Sequence, residues 1–197
     1  MAFNPKDRFF HKAKAEGFLA RSAYKLDEVQ KKYKLIKPGQ FVLDLGAAPG
    51  AWSQVAEKIV GPSGRVVGLD LKPVQFSAKN AKFYVMDVFQ LDPAIMEGRE
   101  VDVLLSDMAP NTTGIRSVDQ ARSEELCREV LKLSDKHLRP GGNLMLKLFE
   151  GPEAEEIFTG VKKRFESVKR IKPEAVRKGS FEIYVIGFSK RREAQPL

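Results

Sequence analysis

Short apolar runs alternate with longer polar-apolar stretches along most of this 197-residue chain, and that alternation narrows the folds open to it. Runs at 41–45, 65–69, 82–86, 101–106, 143–148, 168–171 and 182–188 read as strands, each bounded by turn-forming or charged residues. Helical patterns fall between them. The clearest spans 118–138, where Leu126, Val130, Leu133 and Leu138 mark an apolar face ahead of Arg139-Pro140-Gly141-Gly142. A second carries Ile157, Phe158, Val161 and Phe165; an earlier one, at 22–33, is stopped by Lys37-Pro38-Gly39. Repeated strand-helix-strand units predict an α/β fold, a mostly parallel seven-stranded sheet with helices on both faces. Residues 172–181 join the last two runs without a helical pattern, so the last strand is expected to return antiparallel. We expect one domain over 1–197: a basic helical extension (1–39), a core (40–190) and a basic tail (191–197).

Composition removes several classes of function. Cys127 is the single cysteine, which excludes an internal disulfide and a cysteine-rich zinc site and fits a reducing, cytoplasmic setting. His11 and His137 stand without ligand-spaced companions, so no metal site is expected. No apolar run approaches the ~20 residues of a membrane span, and the start lacks the apolar stretch of a signal peptide. The net charge of +8 is unevenly spread. Residues 1–40 carry +6 and 161–197 carry +7, whereas 41–160 carry −5. Basic ends around an acidic middle point to a polyanion-binding surface made from both termini.

The strand ends carry the chemistry, because open α/β sheets bind ligands at the carboxyl ends of their strands. The first run leads into Asp44-Leu45-Gly46-Ala47-Ala48-Pro49-Gly50-Ala51-Trp52. Gly46 and Gly50 let the backbone pass close to a ligand, and the two alanines keep the loop slim. Neither the dinucleotide fingerprint nor a lysine-bearing phosphate loop is present, so a diphosphate ligand is disfavoured. Asp70 ends the second run and suits a pair of ribose hydroxyls; Asp87 ends the third and suits the exocyclic amine of adenine. Trp52 would wall part of the site. A lone strand-end aspartate could merely cap a turn. Three of them beside a glycine loop fit an adenosine ligand without phosphates, and S-adenosylmethionine fits best.

On the other side, the fourth run ends in Ser106-Asp107-Met108-Ala109-Pro110-Asn111, and the fifth, Leu146-Lys147-Leu148-Phe149, holds a lysine inside apolar sequence. A buried ammonium needs partners, and Asp107 and Glu182, from neighbouring strands, are the candidates; the other reading is that Lys147 reaches out to solvent.

Lys25, Asp107, Lys147 and Glu182 fall in the order and context of the K-D-K-E tetrad of RNA ribose 2′-O-methyltransferases, and the whole chain resembles the FtsJ/RrmJ family. The similarity runs from Lys12-Ala13-Lys14 and Arg21-Ser22-Ala23-Tyr24-Lys25-Leu26 through the 44–50 loop, the 106–111 stretch and Pro140-Gly141-Gly142 to residues 177–184. Ala51 departs from it, where a second glycine is frequent. The resemblance implies a Rossmann-like fold and cofactor contacts from Gly50, Trp52, Asp70, Asp87 and Asp107. It also implies that Lys147 acts on the target 2′-hydroxyl, with Lys25 and Glu182 in support. A free lysine is a poor base near neutrality, so Lys147 could serve as the amine or as an orienting ammonium. The implied substrate is a uridine ribose of large-subunit ribosomal RNA in the assembled subunit, with transfer RNA as the alternative, and the implied enzyme is a monomer. A base methyltransferase is disfavoured: the Asp-Pro-Pro-aromatic motif of amino-group methylation is missing, and Cys127 sits in a helical pattern as a packed residue.

Overall fold

The computed structural model describes residues 8–151 and 154–192. Its helices are α1 (Arg8–Ala15), α2 (Ala23–Tyr33), α3 (Ala51–Val60), α4 (Arg116–His137) and α5 (Ala154–Arg164). The strands are β1 (Phe41–Leu45), β2 (Arg65–Asp70), β3 (Ala81–Val85), β4 (Val101–Ser106), β5 (Leu138–Phe149), β6 (Phe165–Ile171) and β7 (Glu182–Lys190). They form one seven-stranded sheet in the order β3-β2-β1-β4-β5-β7-β6. Strands β1 to β5 pair in parallel, and β7 runs antiparallel to both β5 and β6.

Each central strand is buried on both faces, which is why it reads as a continuous apolar run. The period of two still sorts its side chains. Leu144, Leu146 and Leu148 of β5 pack under α4 and α5. Met145 packs with Tyr184 and Ile186 of β7 under α2 and α3. Lys147 therefore belongs to the α2/α3 face, where the layer is apolar apart from a few buried polar groups.

The structure differs from the sequence-based expectation in three places. No α-helix connects β2 to β3 or β3 to β4: residues 71–80 are irregular, and 3₁₀ turns at Val88–Gln90 and Pro93–Met96 fill the second connection. Asp87 and Asp92 cap those turns through Phe89 N–H and Ala94 N–H, and such capping competes with longer helices. Next, β5 begins at Leu138, directly after α4, and absorbs Arg139-Pro140-Gly141-Gly142 as a bulge between its pairings to Val101 and Val103. Finally, Phe165 opens β6 instead of closing α5.

The sheet order reverses between β1 and β4, the switch point where a crevice opens. There the two loops touch. Asp107 N–H donates to Leu45 O at 3.3 Å, and a Cβ on Gly46 (φ +76°) would lie 2.6 Å from Met108 Cγ. Only glycine permits both that backbone and that approach.

Candidate active site

A cavity of about 370 Å³ occupies the switch point, lined by Gly46, Ala48, Asp70, Asp87 and Asp107 among others. Leu71 and Phe89 flank its acidic residues while 68% and 49% exposed, and large apolar side chains left open beside a cavity mark a ligand surface. Asp70 accepts from Ala48 N–H (3.0 Å) and Lys72 N–H (2.9 Å), and Asp87 accepts from Phe89 N–H (3.1 Å). Both carboxylates thus do the turn-fixing job as well as facing the cavity. Gly50 and Trp52 are not among the lining residues. Gly50 (φ +121°) precedes α3 and is packed so closely that a Cβ would sit 2.6 Å from Phe76 Cβ. Trp52 is buried, donates from Nε1 to Ser22 O at 2.8 Å, and lies against the Tyr184 ring with centroids 5.8 Å apart.

Lys25, Asp107, Lys147 and Glu182 converge beside this cavity. Lys147 Nζ donates to Asp107 Oδ1 at 2.9 Å and to Asp107 O at 2.5 Å. Lys25 Nζ pairs with Glu182 Oε1 at 2.5 Å. Lys147 thus pairs with Asp107 alone of its two expected partners; Glu182 is taken by Lys25. Tyr184 joins the two pairs: its hydroxyl accepts from Lys25 Nζ at 2.9 Å and donates to Asp107 Oδ1 at 2.7 Å. Register explains the meeting. Tyr184 stands opposite Lys147 and Glu182 opposite Phe149 in the β5–β7 ladder, and the period of two puts 182 and 184 on the Lys147 face. Lys25 descends onto them from α2, whose Ala23, Leu26 and Val29 are buried on the same face.

Electrostatics fix the protons of this network. Burial works to raise the Asp107 carboxyl, but the Lys147 and Lys25 cations and the Tyr184 hydrogen bond outweigh it and hold Asp107 below the usual carboxylate range. Burial first, then the Asp107 and Glu182 charges, push Tyr184 well above an ordinary phenol. Asp107 is therefore ionised and Tyr184 neutral, the states their hydrogen bonds require. Removing the bridging hydroxyl with Tyr184→Phe should cost roughly 1–3 kcal/mol, since Lys25 loses an acceptor and Asp107 a donor. Urea unfolding would measure that cost, and a midpoint equal to wild type would show the bridge to be inert.

A polar stripe on α4 holds the end of β5. Gln120 Nε2 donates to Glu150 O (2.5 Å), Ser123 Oγ accepts from Phe149 N–H (3.1 Å) and Cys127 Sγ donates to Lys147 O (3.2 Å). Asp119 meanwhile accepts from the Thr113 N–H and hydroxyl and from Gly114 N–H, fixing the loop that leaves Asp107. Burial raises the Cys127 thiol to about 12, so it packs and donates but does not act as a nucleophile. Tyr184 and the α4 stripe escaped the sequence reading. The available signal was Tyr184 two residues after Glu182 in a strand, and Gln120, Ser123 and Cys127 at three- and four-residue spacing.

On the far side of Lys25 and Glu182 lies a second cavity, about 460 Å³, lined by Arg21, Arg177, Lys178 and Phe181 among others. The two basic ends of the chain meet here. Arg8 pairs with Glu174 at 3.3 Å, Arg21 donates to Ala175 O, and Ala13, Tyr24 and Ala175 form a small core. Lys6 and residues 193–197, both assigned to basic segments above, lie outside the described residues.

The chain matches the FtsJ-like methyltransferase family over residues 18–190. It belongs to that family. A relative in Desulfatibacillum aliphaticivorans, a ribosomal RNA large subunit methyltransferase E, is 49% identical over 94% of this chain and 91% of its own length. Another of the same name, in Syntrophobacter fumaroxidans, is 49% identical over 98% of this chain and 100% of its own. Among solved structures, a Plasmodium falciparum protein assigned as a ribosomal RNA methyltransferase aligns with a TM-score of 0.78 at 25% identity, covering 88% of this chain and 98% of that one. Aeropyrum pernix fibrillarin, solved with S-adenosyl-L-methionine bound, aligns with a TM-score of 0.63 at 17% identity, over 84% of this chain and 76% of that one; this likeness concerns the fold. For an FtsJ-like methyltransferase, the two cavities and the charged network between them are the places where cofactor, reacting groups and substrate must be sought.

Proposed function

We propose that this methyltransferase moves the methyl group of S-adenosylmethionine to a ribose 2′-hydroxyl of large-subunit ribosomal RNA. The observation that carries this reading is the linked pair of ammonium-carboxylate contacts set between an acidic, apolar-rimmed cavity and a basic one. The names of the relatives supply the RNA. The donor set suits the cofactor: Asp70 for the ribose hydroxyls, Asp87 for the adenine amine, Leu71 and Phe89 for the faces of the base, with no cradle for phosphates. Gly50 and Trp52 would shape the loop between β1 and α3 that approaches it. When bound, S-adenosylmethionine supplies a methyl group activated by a positively charged sulfur. The chain's own part is to bring the hydroxyl in line and manage its proton. Asp107 takes two of the tetrahedral positions around Lys147 Nζ, through its Oδ1 and its backbone oxygen. The remaining position is left for the 2′-oxygen. Held by the Asp107 carboxylate, Lys147 Nζ is suited to orienting the hydroxyl and, as an ammonium, to stabilising developing alkoxide charge. Lys25, Glu182 and Tyr184 hold Asp107 in place.

Transfer of a labelled methyl group to isolated large subunits, followed by digestion to nucleosides, tests this reading. Label in a 2′-O-methyl nucleoside is expected; label on a base, or on transfer RNA in preference to the subunit, overturns it.

The basic rim gives a separate expectation. Lys14, Arg177 and Lys178 are exposed. Changing all three to glutamine should weaken RNA binding and reduce the slope of log K against log salt by about one for each phosphate no longer neutralised. Filter binding across a salt series reads this. Cofactor affinity, measured calorimetrically, should stay at the wild-type value.

A further inference from the structure

Asp44 lies two residues before Gly46, at the centre of the switch point, and is fully buried. Its Oδ2 accepts from Ser53 Oγ on α3 at 2.6 Å. Its Oδ1 is buried without a hydrogen-bond partner among the described residues. The groups that face it are also unusual. From the neighbouring strands come the carboxylates of Asp107, after β4, and Asp70, at the end of β2; α3 presents the Ser53 hydroxyl and N–H. The nearby lysines, Lys147 and Lys25, exert their charge on Asp107. A carboxylate that is dry, half-bonded and beside two others is disfavoured as an anion. Burial first, and then Asp107 and Asp70, push this group up to about 7, against the pull of the Ser53 bonds.

Resting on the reading that the adjoining cavity takes S-adenosylmethionine, we propose that Asp44 senses the charge of the cofactor, holding a proton while the cavity holds no cation and releasing it to solvent when the sulfonium form binds. The proton balance is simple. The carboxylic acid becomes a carboxylate as a positive charge arrives, and one proton goes to buffer. Methyl transfer then turns the sulfonium into a neutral thioether and frees the ribose hydroxyl proton; Asp44 takes a proton back from solvent. By linkage, affinity for S-adenosylmethionine should rise relative to that for S-adenosylhomocysteine as pH increases, by at most about tenfold per pH unit below the titration of Asp44.

Isothermal titration calorimetry of the full chain, in buffers of different ionisation heat from pH 6 to 8, counts the protons released. The ligands are S-adenosylmethionine and S-adenosylhomocysteine, whose shared amino group cancels in the difference. Wild type should release more protons with S-adenosylmethionine, and Asp44→Asn should abolish the difference. Ser53→Ala, which removes a bond favouring the charged carboxylate, should move the pH of greatest release upward. Equal release with both ligands, or a difference that survives in Asp44→Asn, overturns the proposal. Should Asp44→Asn fail to fold, Ser53→Ala decides: an unmoved pH profile overturns it. Absence of S-adenosylmethionine binding in wild type would instead overturn the assignment of the cavity.

Discussion

Lys147→Ala is expected to lower the rate of methyl transfer by about three orders of magnitude or more, while changing cofactor affinity by less than about threefold. The size follows from the two tasks proposed for one nitrogen. Losing the group that orients the hydroxyl costs on the order of 10² in rate, and losing one preorganised group that stabilises developing charge costs on the order of 10²–10³. The selectivity follows from position. Lys147 is 8% exposed on the α2/α3 face of β5 and does not line the cavity that holds Asp70 and Asp87. Asp107 keeps its Tyr184 donor in the variant and the nearby Lys25 charge, so the site should not collapse. Lys147→Arg should fail as well, because a planar guanidinium cannot present a single tetrahedral position. Single-turnover transfer of labelled methyl, beside equilibrium binding of S-adenosylmethionine, separates the two quantities. Transfer at the wild-type rate in Lys147→Ala would remove this residue from the reaction.

The sequence exposes Lys147 because an ion inside an apolar run is a local anomaly. Its network is hidden for the opposite reason. Tyr184 is fully buried, and its ring reads as one more apolar residue of an alternating strand; the phenol matters only once β7 is known to run antiparallel beside β5 in this register. A slip of one residue would have sent Tyr184 to the α4 face. The expected antiparallel return of the last strand is correct, yet its insertion between β5 and β6 depends on long-range pairing that no local pattern reports. Helix α4 hides its role similarly. Gln120 and Ser123 look like a solvated face, but both are buried, bonded to the backbone of Glu150, just past β5, and of Phe149, its last residue. By contrast, the placement of Gly46, Asp70 and Asp87 around one cavity is legible, since they lie at the ends of elements and those ends are marked by turn residues. The missing helix between β2 and β3 shows the limit of extrapolating alternation: Leu71 and Pro73 lie in an irregular link beside an edge strand whose residues are half-buried or exposed.

Asp107→Ala should be the most damaging change for stability, at about 3–5 kcal/mol, because it strips the partner from a buried ammonium. Lys147 would lose both its carboxylate bond and its neutralising charge, Tyr184 its acceptor, and two lysines would face Glu182 alone. In a chain of this size, 1 kcal/mol shifts the thermal midpoint by roughly 2–4 °C, so a drop on the order of 10 °C is expected at pH 7. Stability of this pair depends on pH through Asp107. The Asp107 carboxyl is held below its ordinary value, so its contribution is fully present above the unfolded-state value near 3.8. It is lost as pH falls through the lower folded-state value. The gap between wild type and variant should therefore shrink in acid. A double change then separates structure from chemistry. Asp107→Asn with Lys147→Met removes both charges, leaves the residue at 107 able to accept from the Tyr184 hydroxyl, and sets an apolar side chain where the ammonium lay, so most of the lost stability should return. Activity should not. If the double variant is as unstable as Asp107→Ala, the damage does not come from an unpaired ammonium, and the charged pair is not what sets the stability of this site.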